Sequence, residues 1–172
     1  VYKRQALQLT PASYISFLVL YRYYDRRYQA LFGNAFSQGS TVQNEQGVYM
    51  GLQLTPIARW KLSIYADLFR FPWLKYGIDA PSGGQEYMAQ IDYTPSRNYS
   101  AYLRYKYRQK EKNRTFENDN LLRINSYKQH RIRFQQVYNF SSPFIFKTSL
   151  DGILFDDPIT VSYTHLRAHE TV

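Results

Sequence analysis

Basic side chains at every second position are the residues of this chain best suited to do chemistry. Arg104, Lys106 and Arg108 alternate in this way, and Arg131 and Arg133 repeat the spacing. At that spacing the cations lie on one face of a β-strand, where they could form an anion-favouring channel wall. The alternative is a charge ladder that fills and braces the interior of a barrel. The same parity of neighbouring stretches adds Lys61, Asp67, Asp92, Lys147 and Asp151.

No catalytic, cofactor or metal site is expected from the remaining polar residues. The chain has no Cys, which excludes a thiolate metal site and a Cys nucleophile. His130 has no identifiable nucleophile or orienting acid, so we interpret it as a surface or interfacial histidine. The acidic residues at 117–119 and 156–157 lack the spacing of a Ca²⁺ loop. FGNAFSQGS, residues 32–40, has two Gly but no Lys, which favours an outside loop folding over or into a pore rather than a phosphate loop.

Aromatic residues are abundant, with 18 Tyr, 11 Phe and 2 Trp. Many stand at the ends of strand-like runs, which is typical of the interfacial belts of membrane barrels. One predicted belt flanks the short turns and contains Trp60, Tyr93, Tyr99, Tyr138 and Phe144. The other lies at the opposite strand ends and contains Phe71, Trp73, Tyr105 and Tyr107.

Period-two alternation of apolar and polar residues predicts about eight strands, each of roughly 9–13 residues. That length suits a membrane-crossing strand of about 9–11 residues better than a soluble strand of about 5–6. Four proline-containing segments, LTPAS, LTPIARW, YTPSRNY and FSSPF, predict short turns. Longer polar connections at 25–45, 72–85 and 109–126 predict loops at the opposite ends of the strands. The pattern is that of an antiparallel meander whose two ends differ.

Pairing across the turns can be predicted in outline. Counting back across the FSSPF turn pairs Arg133 with Asp151, and counting across the LTPIARW turn pairs Leu54 with Trp60. We expect one face of each strand to meet lipid and the other to meet water. A basic, aromatic-rich sheet could also bind nucleic acid, but that requires cations and aromatic rings interleaved on one face. Here they mostly segregate, so no nucleic-acid partner is expected.

The chain as a whole has 172 residues and a formal net charge of +9, a length that suits one domain. It contains no run of about 18 apolar residues, so no membrane helix is expected, and no signal peptide is recognisable. The last twelve residues, VSYTHLRAHETV, read like a translated sequencing adapter. We therefore expect a partial barrel domain over 1–160 and an artefactual tail over 161–172.

Three long segments carry a resemblance to a known family. They are RYYDRRYQALFGNAFSQGSTVQNEQGVYMGL, YADLFRFPWLKYGIDAPSGG and YTPSRNYSAYLRYKYRQKEK. Over about residues 1–157 the chain resembles the barrel region of Bacteroidota outer-membrane proteins with N-terminal helix-hairpin-helix repeats. The resemblance implies a β-barrel in the outer membrane of a Gram-negative bacterium, with short periplasmic turns and longer outside loops. It transfers no catalytic residues. Because the repeats and further strands are not in this sequence, we expect an internal fragment with aggregation-prone edges.

The expected fold is an all-β, antiparallel up-and-down meander that forms part of a transmembrane outer-membrane β-barrel. The leading functional hypothesis is a porin-like or transport-related role, with outer-membrane lipid around the barrel and anionic small solutes as candidate cargo. One alternative is a membrane anchor or adhesion scaffold whose loops bind a partner. Another is a soluble cationic β-sheet that binds polyanions. No enzyme activity is expected.

Overall fold

The computed structural model describes residues 2–28, 36–39, 41–76, 78–116, 119–141, 144–156 and 165–171, with side chains at all of these except 112, 114–123, 141 and 165–171. The described secondary structure consists of strands. In chain order they are β1 (Tyr2–Ala12), β2 (Ile15–Tyr24), β3 (Glu45–Leu54), β4 (Trp60–Phe71), β5 (Ser82–Ser96), β6 (Tyr99–Phe116), β7 (Asp119–Ser141), β8 (Phe144–Asp156) and β9 (His165–Thr171). Within these ranges there is no helix of the length and apolar character needed to cross a membrane.

All the strands belong to one sheet in which each strand pairs antiparallel with the next along the chain. The predicted all-β meander of eight strands is therefore confirmed for β1 to β8. The segment expected to be an artefactual tail supplies β9, which pairs with β8 between Lys147 and Ile153. In the described residues no ladder joins β1 to β9, so the sheet is open. Closure into a barrel stays a prediction.

Two of the prolines predicted to mark turns lie in irregular strand ends. Pro11 is within the last residues of β1, where the register shifts between Leu9 and Ala12. Pro95 is in β5, where the register shifts before Ser96. A proline donates no ladder hydrogen bond, and a bulge is one of the few places where a strand accepts this loss. Pro143 lies outside the described residues.

The predicted loop at 109–126 is wrong. These residues continue β6 to Phe116 and resume in β7 at Asp119, so the two longest strands extend as a hairpin beyond the alternating apolar segments. The sequence pattern missed this hairpin because most of its residues are polar on both parities. Its backbone hydrogen bonds form without an apolar face, so alternation of apolar and polar residues does not indicate these strands. Similarly, the last residues of the predicted loop 72–85 belong to β5, which begins at Ser82.

The predicted register is right at one turn and wrong at another. Arg133 does pair with Asp151. Leu54, however, pairs with Leu62, and Trp60 pairs with Tyr93 on the other side of β4. The difference is two residues, because the last pair of this ladder, Leu54 with Leu62, encloses residues 55–61, whereas the predicted pair would enclose only 55–59. A shift of two preserves the side of the sheet to which every side chain points, so the face assignment is unaffected.

The two faces of the sheet differ in chemistry. One face, here the apolar face, carries Ile64, which is 41% exposed, and Leu103, which is 48% exposed. No second layer covers it in the described part of the chain. The other face, here the charged face, holds the small core that the chain does bury. That core lies near the loop ends of the strands and contains Leu20, Tyr24, Phe69, Phe71 and Ile78.

Candidate functional site

The charged side chains predicted to line a lumen share one face of the sheet. Asp67 on β4 pairs with Glu86 on β5, which pairs with Arg108 on β6. Because cross-strand partners point to the same side, this rung and its neighbours two residues away define the charged face. By this register the face contains Lys61, Asp67, Asp92, Arg104, Lys106, Arg108, Arg131, Arg133, Lys147 and Asp151. That they surround a lumen stays a prediction.

Glu86 collects charged and polar groups from both neighbouring strands. Its Oε1 lies 2.8 Å from the Lys106 ammonium and accepts a hydrogen bond from the Tyr65 hydroxyl at 2.6 Å. Its Oε2 accepts from Nε of Arg108 at 2.6 Å. The carboxylate is buried, whereas both cations are partly exposed. Glu86 therefore fixes the strand-facing side of two cations and leaves their other side open.

On the other side of the β6–β7 pair, Asp151 on β8 binds two cations of β7 in a similar way. Its Oδ1 accepts from Nε of Arg131 at 2.9 Å, and its Oδ2 accepts from the Arg133 guanidinium at 2.6 Å. A second bond from Arg131 makes that pair bidentate. Charge-assisted, bidentate contacts of this kind are the stronger hydrogen bonds in proteins and fix the plane of the guanidinium.

Between these two carboxylates, cations face one another across β6 and β7. Lys106 pairs with Arg131, and Arg104 pairs with Arg133. Arg104 donates Nε–H to the Gln90 side chain at 2.6 Å rather than to a carboxylate. A cleft of about 90 Å³ opens at this seam. We call it the cationic cleft; it is lined by Lys106, Arg108, Gln129 and Arg131.

A second cluster, the ion triad Arg22–Glu45–Asp67, lies buried near the loop ends of β2, β3 and β4. Nε of Arg22 donates to Glu45 at 2.6 Å, and its two terminal nitrogens donate to Asp67 at 2.7 and 3.1 Å. The side chains of Arg22 and Glu45 are 0% exposed and that of Asp67 is 1% exposed. Gly47 stands opposite Arg22, and a Cβ there would lie 2.7 Å from the guanidinium carbon. Only glycine at this position leaves room for the buried cation.

The triad also holds a loop against the charged face. Glu45 accepts hydrogen bonds from the Ser37 hydroxyl at 2.6 Å and from the backbone N–H of Gln38 at 2.9 Å and of Gly39 at 3.2 Å. The Gln38 side chain donates to Asp67 at 2.7 Å. Residues 36–39, here the clamped loop, belong to the segment predicted to fold over or into a pore. The structure places them over the charged face; residues 32–35 and 40 lie outside the described residues.

Two lysines border the clamped loop beyond the last apolar rung of the sheet. Lys110 donates to the Gln38 carbonyl at 3.2 Å, and Lys75 lies with its ammonium 3.8 Å from the centre of the Phe71 ring. Burial lowers the pKa of Lys75. Burial also lowers the pKa of Lys110 to about 8, and the charges of Arg108 and Lys75 act in the same direction. The clamped loop therefore lies beside an excess of positive charge.

Most residues of the predicted aromatic belts lie in pairs. At the turn end, Trp60 and Tyr93 have ring centres 4.4 Å apart, and Tyr99 and Tyr138 have ring centres 6.1 Å apart. Phe144, the remaining member of this belt, is exposed. At the other end, the Tyr107 ring lies 6.1 Å from Tyr87 and 5.0 Å from His130. The Tyr105 hydroxyl lies 2.8 Å from Nδ1 of His130. A belt role for these residues stays a prediction.

Phe71 and Trp73 do not follow the belt geometry. Phe71 points to the charged face and is 4% exposed, because its parity on β4 is that of Asp67 and Phe69. Trp73 lies past the end of β4, where Asn44 accepts from its backbone N–H at 2.9 Å and donates to its carbonyl at 2.8 Å. Arg26 stacks over its indole ring at 4.9 Å. Phe71 thus contributes to the buried core, and Trp73 to a joint between two loops.

Arg22, Glu45 and Glu86 were missed by sequence reasoning. Arg22 is the only charged residue in ISFLVLYRYY, and a single cation in such a strand signals a buried counter-ion elsewhere. That signal names no partner. Glu45 was assigned to a loop, and Glu86 lay one residue before the start of its predicted strand. Their roles depend on the register, which brings together residues 23 and 45 positions apart in the chain.

The comparisons with known proteins leave the family open: the chain matches no protein-family model, no curated protein and no solved structure. In the parts of the chain that the structure describes, no group of three or more His, Asp or Glu side chains could hold a metal ion. The feature of the described structure that bears most directly on function is the difference between the two faces of the sheet.

Proposed function

We propose that this chain is part of an outer-membrane β-barrel of porin-like or transport function, with lipid against the apolar face and water against the charged face. The single observation that carries the proposal is the segregation of the two faces in an uncovered sheet. A water-soluble sheet of this size would have to bury its apolar face under a second layer. Here the apolar side chains of the central strands stay exposed or half-buried, whereas the fully buried side chains of these strands lie on the charged face.

The height of the apolar band supports a membrane location. On β4 it runs from Trp60 to Leu68, a separation of eight residues. At roughly 3.3 Å per residue this is roughly 26 Å along the strand, or about 20 Å after a tilt of about 40°. The apolar band of outer-membrane barrels is about 25 Å tall. Beyond the band the same face turns polar, with Gln85, Gln109 and Lys128 on one row.

The clamped loop supports a second candidate, a membrane anchor whose loops bind a partner. It covers part of the charged face, and the segment after β4, whose Lys75 borders the clamped loop, leaves Trp73 and Tyr76 strongly exposed. A barrel whose interior is occupied by its own loops would conduct poorly and would present those loops to the outside. The soluble polyanion-binding sheet is less well supported, since it leaves the exposed apolar face without a role.

Membrane insertion can be tested with a pair of substitutions in adjacent residues. Ile64→Arg puts a charge in the middle of the apolar face, and Ser63→Arg puts the same charge on the charged face. In a bilayer the first should cost about 2–4 kcal/mol and the second much less. We expect refolding into liposomes, followed by protection from protease, to fail for Ile64→Arg and to succeed for Ser63→Arg. Equal behaviour of the two variants would refute the assignment of the faces.

Planar-bilayer recordings then separate the transport role from the anchor role. A chain that inserts and produces discrete conductance steps supports a pore. Insertion without conductance, over the full range of voltage and salt, supports the anchor. A chain that stays in the aqueous phase and remains folded without detergent contradicts both.

A further inference from the structure

The cationic cleft holds more positive charge than the neighbouring carboxylates can neutralise. Five of the cations that project from β6 and β7 on the charged face lie at or next to this seam, and two carboxylates, Glu86 and Asp151, contact four of these five. The fifth, Arg104, contacts a neutral amide. Taking these seven groups together leaves a local excess of three positive charges.

The carboxylates also stand on the wrong side to screen the cations from one another. Glu86 is on β5 and Asp151 is on β8, so both approach from outside the β6–β7 pair. Lys106 and Arg131 face each other, and in the described structure no carboxylate side chain comes from β6 or β7 at this rung. Like charges directly opposite in a sheet destabilise it. An anion between the two strands would attract both cations and offset their mutual repulsion.

The groups lining the cleft can bind such an anion without giving up their present partners. Glu86 accepts from Nε of Arg108, but a guanidinium carries five N–H donors and an ammonium carries three. Gln129, which pairs with Arg108 across the strands, adds an amide to the same wall. A planar guanidinium beside an ammonium is well suited to oxygen atoms of carboxylate and phosphate groups.

The size of the cleft limits the ligand to a small group. Its volume of about 90 Å³ corresponds to about three water molecules at about 30 Å³ each. This is enough for one carboxylate or one phosphate group, and too little for a nucleobase or a sugar ring. A larger solute could place only its anionic end there.

We propose that the cationic cleft between β6 and β7 binds a small oxyanion, a carboxylate or phosphate group, at Lys106, Arg108, Gln129 and Arg131. In the proposed function, the cleft is a site at which anionic solutes bind as they move along the charged face. This role in transport rests on the proposed function. The binding itself requires only the folded sheet.

The test is titration of inorganic phosphate and of acetate into the full chain, refolded in zwitterionic micelles at constant ionic strength. Nitrogen-15 signals of the arginine side chains report the location of binding, and calorimetry reports the affinity. We expect saturable binding that shifts the Arg108 and Arg131 signals. Response to phosphate alone identifies a phosphate ligand, and response to both probes identifies the shared oxyanion chemistry. A linear response to both, without saturation, would overturn the proposal.

A double variant, Lys106→Gln with Arg131→Gln, removes two charges from the cleft while Glu86 keeps Arg108 and Asp151 keeps Arg133. Each carboxylate thus retains a cation, which protects the fold, and circular dichroism checks that the β signal persists. We expect affinity to fall about tenfold or more, since each lost charge-assisted contact weakens binding. The control Arg97→Gln removes one charge from the exposed β5–β6 turn and should stay within about twofold of wild type.

Should the double variant bind as tightly as the control, the cleft is not the site. Conductance is measured separately, so the two proposals can fail independently. A chain that binds phosphate but does not insert contradicts the membrane function alone. A chain that inserts but binds neither probe contradicts the oxyanion site alone.

Discussion

Replacing Arg22 with methionine should destabilise this protein more than any other single loss of charge on the sheet. Arg22 donates three hydrogen bonds to Glu45 and Asp67, and all three side chains are essentially inaccessible to solvent. Methionine fills much of the volume but leaves two carboxylates buried without a cation. Removal of one partner from a buried ion pair costs about 3–5 kcal/mol. Because about 1.4 kcal/mol corresponds to a factor of ten, the folding equilibrium should shift by roughly 10²–10⁴-fold.

The assay is urea denaturation in micelles, followed by tryptophan fluorescence. Trp73 lies in the loop joint beside the triad and Trp60 lies at the far end of β4, so the signal covers both ends of the sheet. Arg22→Lys serves as the conservative comparison. It keeps the charge but cannot span both carboxylates with a planar fork, so it should lose less stability than Arg22→Met.

A compensated variant distinguishes the electrostatic explanation from a packing effect. Arg22→Met combined with Glu45→Gln and Asp67→Asn removes all three charges, so no carboxylate is left buried without a partner. We expect it to recover at least half of the stability lost by Arg22→Met alone, because neutral replacement of a buried ion cluster is often tolerated. The electrostatic explanation is refuted if Arg22→Met loses less than about 1 kcal/mol of stability, or if the compensated variant is no more stable than Arg22→Met alone.

Three further outcomes follow from the same region. Gly47→Ala should destabilise the fold by about 1–3 kcal/mol, because its methyl group would press on the Arg22 guanidinium. Urea denaturation measures this loss, and Gly83→Ala is the control because a methyl group there has more space. Lys110 has a folded pKa of about 8 against an ordinary 10.5, so the unfolded chain binds more protons between these values and stability should rise with pH across that window. Lys110→Met should flatten that rise in paired denaturation curves. Ser37→Ala should expose the clamped loop to protease faster, since Glu45 loses its 2.6 Å hydroxyl contact.

The sequence allowed the two faces to be predicted but not the contacts made on them. Period-two alternation places the cations of each strand on one side, and any shift of register by an even number of residues keeps Lys61, Arg104 and Arg133 on the same face. Register depends on how many residues each turn uses. The turn after Leu54 was underestimated by two residues, although the face stayed correct.

The buried triad could not be predicted for a different reason. Its members come from three strands, and their meeting depends on two registers and on a glycine that leaves room for Arg22. Alternation also fails for β2, whose residues are apolar on both parities. The cationic cleft was easier to anticipate, since Lys106 and Arg108 mark one wall of it by their spacing. The spacing did not indicate which carboxylates contact these cations.

The positions of the clamped loop and the cationic cleft bear on how a pore built from this sheet would work. The loop is held over β2 to β4 by Glu45 and Asp67, and its outermost described contact is the Gln38 carbonyl with Lys110 on β6. Arg108 lies two residues along that strand, roughly 7 Å away. The loop therefore ends where the cleft begins. Under the proposed function it would narrow the passage from one side and direct solutes along the cationic side. Release of the clamped loop from Glu45, as in Ser37→Ala, should then raise the conductance and weaken the anion preference together. A change in only one of the two would mean that the loop and the cleft act independently.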